Sequence, residues 1–187
     1  MYLIVGLGNP EKEYANTRHN MGFDVINKIS EKNKIEVNKT KYEGLYGKGE
    51  IEGEKVILLK PQTYMNLSGQ AVKKYADFYK IPLENTIVIF DDIALEKGQI
   101  KVRKQGSGGS HKGMISVVET LGTENIPRIR VGIGSPENKK YMIEYVISKI
   151  NKEEQELLKP GIEKAADAIE TIIKEGFDKA MNKYNSK

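Results

Sequence analysis

Leu3-Ile4-Val5-Gly6-Leu7-Gly8-Asn9-Pro10, continued through Tyr14 to Thr17-Arg18-His19-Asn20, is the stretch from which the fold is read. An apolar, β-branched-rich run over Tyr2–Leu7 is stopped by glycine, asparagine and proline, as a buried strand is when it ends in a loop. Helical spacing then takes over at Phe23, Ile26 and Ile29. The same alternation recurs along the chain. Lys55–Leu59, Thr86–Phe90 and Ile129–Ile133 read as further buried strands, and Ala71, Tyr75 and Phe78, then Met114, Val117, Val118 and Leu121, read as helix faces. This pattern predicts an α/β domain with a mixed, mostly parallel twisted sheet and helices on both faces.

Tyr46–Ile51 and Lys55–Leu59 are joined by the glycine-bearing turn Glu52-Gly53-Glu54, which predicts an antiparallel hairpin added to that sheet. Asn151 with Glu154 forms a capping-box pattern, and Pro160-Gly161 is expected to break the helix so begun. Ile162, Ala165, Ala166, Ile169, Ile172 and Ile173 then mark a C-terminal covering helix. Residues 1–187 are expected to form one domain, with 182–187 frayed.

Composition narrows the function classes. With 187 residues, 39% apolar and 30% charged, the chain has the make-up of a soluble globular protein. No run approaches the roughly 20 apolar residues of a membrane span, and a secretory leader is not expected. The absence of cysteine excludes disulfides and thiolate chemistry, and is compatible with a cytosolic protein. Lys and Arg exceed Asp and Glu by 30 − 26 = 4, an excess that permits an anionic partner without demanding one.

His19 is one of only two histidines, the other being His111. Histidine alone titrates near neutrality unperturbed, so proton transfer falls to one of these two. A buried structural histidine is the bland alternative, and it loses ground to the crowding of Asn9, Arg18 and Asn20 around His19. Sites in open α/β sheets gather at the carboxyl ends of strands. There the sequence delivers Asn9, then Lys60-Pro61-Gln62-Thr63-Tyr64-Met65-Asn66, then Asp91-Asp92. A histidine paired with a carboxylate is a general base, and asparagine amides can hold a carbonyl or a developing oxyanion. No Gly-x-Ser-x-Gly elbow supplies a nucleophile, and two histidines far apart in sequence make a weak metal set, so no metal is expected. Activation of water is the chemistry that remains.

Neither Gly6-Leu7-Gly8 nor Gly106–Gly113 completes a nucleotide loop, and the second stretch reads better as a mobile lid beside a cleft. In Ile100–Lys104 and Arg128–Val131, period two sets Lys101 with Arg103 and Arg128 with Arg130, cations placed to clamp a phosphate. Solvated edge decoration is the competing reading.

Taken together, Gly6–Pro10, Thr17–Asn20, Lys60–Gly69, Asp91-Asp92, Gly108–Gly113 and Arg128–Gly134 resemble the bacterial-type peptidyl-tRNA hydrolase family, in order and over most of the chain. The resemblance implies a monomeric, cofactor-free, cytoplasmic esterase that cleaves the bond between a peptide and the 3′ ribose of tRNA, recycling tRNA from stalled translation. By position it makes His19 the base, Asp91 its partner in preference to Asp92, and Asn9 the discriminator of N-blocked substrates. Tyr14, Tyr64, Met65 and Asn66 would line the site for the 3′ end and peptide, with His111 and Lys112 beside them, and Arg103 and Arg130 would hold the 5′ phosphate. Lys112 stands where the family often has asparagine, and Glu11 where it has glycine. A non-catalytic RNA-binding relative is the alternative, and retention of His19, Asp91, Asn9 and Asn66 together argues against it. A dinucleotide-dependent oxidoreductase would rest on the glycines alone.

Overall fold

The opening strand, β1 (Tyr2–Gly6), lies at the centre of a seven-stranded sheet in the computed structural model, whose described residues are 1–185. The other strands are β2 (Lys39–Lys41), β3 (Gly44–Ile51), β4 (Glu54–Pro61), β5 (Thr86–Asp92), β6 (Ile100–Arg103) and β7 (Arg128–Gly132), in the spatial order β2-β3-β4-β1-β5-β7-β6. β1 runs parallel to both β4 and β5, and β5 parallel to β7, while β2–β3, β3–β4 and β6–β7 are antiparallel. The carboxyl ends of β1, β4 and β5 therefore meet along one edge.

Both faces of β1 are covered, which is why its apolar run does not alternate. On one face Ile4, Ile87, Ile89 and Val131 pack with Ile26 and Ile29 of α1 (Met21–Asn33) and Ile169 and Ile172 of α5 (Lys152–Glu175). On the other, Leu3, Val5 and Leu59 meet Val72 and Tyr75 of α2 (Ser68–Phe78) and Met114 and Val117 of α3 (Lys112–Leu121). Each such side chain contributes about 1.5–3 kcal/mol on burial. α4 (Met142–Ile147) and α6 (Phe177–Tyr184) complete the single α/β domain.

The start of α1 is pressed onto the strands. A Cβ on Gly22 would stand 2.4 Å from the carbonyl oxygen of Leu7 and 2.5 Å from that of Ile89, so only glycine allows this approach. The turn that carries His19, immediately before α1, is thereby held at the carboxyl edge of the sheet.

The hairpin expected between Tyr46 and Leu59 forms, with Glu52 and Gly53 as its two turn residues, both at positive φ. The break expected at Pro160-Gly161 does not occur, and α5 runs unbroken through both residues. Proline costs a helix interior roughly 3 kcal/mol, but this helix is anchored on both sides of it. Glu154 and Leu158 are buried before the proline, and Ala165, Ala166 and Ile169 after it. The fraying expected from Asn182 is corrected as far as Asn185. α6 continues to Tyr184, and the Asn185 carboxamide accepts from Val102 N–H at 2.7 Å and donates to Val102 O at 2.8 Å. Residues 186 and 187 lie outside the described residues. No helix among the described residues is long and apolar enough to cross a membrane.

Candidate active site

His19 sits in a single turn of 3₁₀ helix, Arg18–Asn20, that joins the loop after β1 to α1. Its Nδ1 lies 2.9 Å from Asp91 Oδ2 at the end of β5. The other oxygen of the same carboxylate, Oδ1, lies 2.9 Å from His111 Nε2. Asp91 is only 4% exposed, and an ionised carboxylate only accepts, so both ring nitrogens facing it donate. His111 Nδ1 in turn accepts the Met114 N–H at 3.2 Å, capping α3, which leaves Nε2 as the nitrogen that donates to Asp91. His19 is left with Nε2 free to take a proton.

Burial alone would push the His19 imidazole down. The charge and hydrogen bond of Asp91 outweigh that effect, Lys112 opposes them, and the net shift is upward. Burial likewise would push the Asp91 carboxyl up, but His111 and His19 hold it well below the usual carboxylate range. His19, Asp91 and His111 thus form a base with a charged, buried partner shared by two rings, whose centroids are 4.9 Å apart. Separation in sequence was a poor argument against a metal here. One donor atom from each of the three lies within 4.8 Å of the others, although a cation there would have to replace both imidazole–carboxylate hydrogen bonds.

These residues open onto a cavity of about 930 Å³ whose lining includes Lys112, Arg103, Arg130 and the glycine-rich stretch 106–109. An apolar part of the lining comes from Met142, Ile143, Val146 and Ile147 of α4, a contribution not foreseen from the sequence. The readable signal was the pair of i, i+4 couples following Asn138, which caps the preceding turn.

Arg103 and Arg130 share one face of the β6–β7 ladder with Lys101 and Arg128, as period two requires, with Lys101 directly across from Arg130. The four are not equivalent. Arg128 is buried and gives its guanidinium to the carbonyls of Ile126, Ser107, Gly106 and Glu124. It therefore fastens one end of the stretch expected to act as a mobile lid.

The remaining site residues lie on the same sheet edge but not in that cavity. Asn20 grips the Asn9 backbone on both sides, accepting from its N–H at 2.7 Å and donating to its carbonyl at 2.9 Å. Asn9 Oδ1 accepts from Glu11 N–H, and its Nδ2 has no partner among the described residues. Met65 is buried against the start of α3, where a Cβ on Gly113 would stand 2.6 Å from the Met65 sulfur. Asn66 is exposed, Tyr64 is 68% exposed, and Tyr14 is half-buried. No hydrogen bond joins their side chains to the histidines among the described residues.

Arg18 was read with His19 as part of a functional cluster, and the structure gives it a supporting place. It is 8% exposed and pairs with Glu154 of α5 through Nε and Nη2, each at 2.6 Å. Its Nη1 reaches Tyr145 O and Ser148 Oγ, and its guanidinium stacks 3.9 Å over the Tyr145 ring. The α4 wall is thus tied to the residue next to His19.

A family model described as peptidyl-tRNA hydrolase matches residues 3–187. A peptidyl-tRNA hydrolase of Clostridium novyi (strain NT) is 54% identical over 185 residues, covering 99% of this chain and 98% of that protein. One from Caldanaerobacter subterraneus subsp. tengcongensis is 49% identical, covering 99% of this chain and 100% of that protein. The crystal structure of peptidyl-tRNA hydrolase from Acinetobacter baumannii is similar with a TM-score of 0.93 at 37% identity, covering 100% of this chain and 95% of that one.

Proposed function

The chain belongs to the peptidyl-tRNA hydrolase family, and on that premise we propose how its residues carry the reaction. The reaction is hydrolysis of the ester between the carboxyl end of a peptide and the 3′ ribose of tRNA. His19 Nε2 takes a proton from water as the water oxygen adds to the ester carbonyl. The imidazolium so formed is stabilised by Asp91, which also keeps the ring in the required tautomer. The tetrahedral adduct collapses by breaking the bond to the ribose 3′ oxygen, and His19 returns the proton to that oxygen. Free tRNA and a peptide acid result, with nothing consumed beyond water.

Asn9, through an Nδ2 without a partner among the described residues, and the exposed Asn66 supply amide donors to the peptide and its carbonyl. Tyr14, Tyr64 and Met65 line the approach, and His111 with Lys112 borders the ester on the cavity side. Arg103 and Arg130 hold the 5′ phosphate of the tRNA. All of these groups come from one chain, so a monomer suffices. A substrate made by ribosomes suits a cytoplasmic protein that returns tRNA to translation.

The observation that carries this reading is the buried Asp91 held 2.9 Å from Nδ1 of His19, a residue that lines a cavity together with Lys112, Arg103 and Arg130. Replacing His19 by alanine tests it. Release of N-acetyl-aminoacyl groups from charged tRNA should fall about 10²–10⁴-fold, while tRNA binding stays within roughly twofold. Wild-type turnover in that variant removes His19 from the mechanism. Wild-type protein that binds tRNA without releasing the acyl group establishes the non-catalytic alternative instead.

A further inference from the structure

β5 ends in two adjacent carboxylates with different partners. Asp91 goes to the histidines, and Asp92 goes to the cationic ladder. Asp92 Oδ2 accepts from Arg130 Nε at 2.5 Å, and its Oδ1 accepts from the Ala94 N–H at 2.7 Å. The carboxylate is thus fixed at both oxygens, and it fixes the arginine by Nε alone. Nη1 and Nη2 have no protein partner among the described residues, and Arg130 lines the cavity.

The surroundings make this arrangement informative. Lys101 stands directly opposite Arg130 across the ladder, and Arg128 lies two residues away on the same face. Like charges so placed repel, and a free guanidinium would swing away from them toward solvent. Asp92 offsets that repulsion locally and holds the side chain in one geometry. It also cancels one positive charge, which weakens the attraction of any polyanion for this face. A carboxylate here works against affinity and in favour of direction.

We propose that Asp92 is a positioning residue of the phosphate clamp: by holding Arg130 through Nε it presents the Nη1–Nη2 fork to the tRNA 5′ phosphate, and so sets selectivity for a phosphorylated 5′ end. This rests on the reading of Arg103 and Arg130 as that clamp. A fork aimed in advance grips two phosphate oxygens in parallel, whereas a swinging guanidinium acts as a diffuse charge. Removal of Asp92 therefore lowers discrimination while leaving general RNA affinity equal or higher.

The test compares kcat/KM on N-acetyl-aminoacyl-tRNA carrying a 5′ phosphate with the same tRNA carrying a 5′ hydroxyl. It uses wild type, Asp92→Asn, Asp92→Glu, Arg130→Ala and the Asp92→Asn/Arg130→Ala double variant. Asp92→Asn is expected to reduce the wild-type ratio at least threefold, Asp92→Glu to restore part of it, and the double variant to match Arg130→Ala. Deacylated tRNA with a 5′ hydroxyl should bind Asp92→Asn at least as tightly as wild type at low salt. If Arg130→Ala loses the ratio while Asp92→Asn keeps it, Asp92 only forms the turn and the proposal falls. If wild type itself treats the two substrates alike, the clamp reading fails and takes the proposal with it.

Discussion

Asp91 accepts from two imidazoles at once, which makes the protonation of His19 sensitive to each neighbour in a predictable direction. The His19 imidazole is held above its ordinary value of roughly 6.5. The base is neutral only above that raised value, so kcat/KM should fall on the acid side of it. Lys112 opposes protonation of His19, so Lys112→Asn should move the acid limb to higher pH. Asp91→Asn should move it lower and reduce turnover. A kcat/KM profile from pH 5 to 9 reads both shifts, and an unmoved limb in Lys112→Asn denies that its charge acts on His19. The two groups stabilise the fold at opposite ends of the pH scale. The His19 contribution is complete below its unfolded value of roughly 6.5 and is lost as pH rises through the raised folded value. That of Asp91 is present above its unfolded value of roughly 3.9 and is lost as pH falls toward the depressed folded value. The sequence made His19 and Asp91 legible as residue types at strand ends. It left open what His111 does, because a ring that caps a helix and also binds a carboxylate is visible only in three dimensions.

At the scale of elements, the Arg18–Glu154 pair sets how α4 and α5 meet the turn that bears His19. Both side chains are nearly buried, and removing Arg18 leaves Glu154 with only the longer contact to Lys97 at 3.8 Å. Arg18→Met should cost about 3–5 kcal/mol of stability in urea unfolding, and the double variant Arg18→Met/Glu154→Leu should recover most of it. A single variant within about 1 kcal/mol of wild type would show that water or Lys97 compensates Glu154. The strands were legible because β-branched runs ended at glycine and proline, and the hairpin because of Gly53. The helix break at Pro160 was misjudged because a local penalty was weighed without its anchors. Leu158 and the stripe from Ala165 to Ile172 hold the two halves of α5 in line against β7 and α1. α4 was missed because it is only six residues long: Met142, Ile143 and Ile147 line a cavity while Tyr145 and Val146 pack on the core, so no long amphipathic stripe announces it.

Across the whole molecule, function depends on a strand order that no local pattern encodes. His19 and Asp91 are 72 positions apart, and they meet because β1 and β5 are parallel neighbours. Parallel pairing was inferred from the alternation of strands and helices, whereas the outer order β5-β7-β6 was not. That outer order sets Arg103 and Arg130 on the lining of the cavity that His19 and His111 also line. β6 is an edge strand, and Asn185 pairs with Val102 in the manner of a one-residue strand. Asn185→Ala should lose about 1–2 kcal/mol and speed deuterium uptake at the Val102 amide, read by hydrogen exchange; unchanged uptake would mean the edge holds without it. The order of synthesis gives this clip a further meaning. During translation β6 is made more than 80 residues before its partner, so Val102 leaves the exit tunnel with its outer peptide group bare. The nascent chain completes the margin that bears Arg103 only once position 185 has cleared the ribosome.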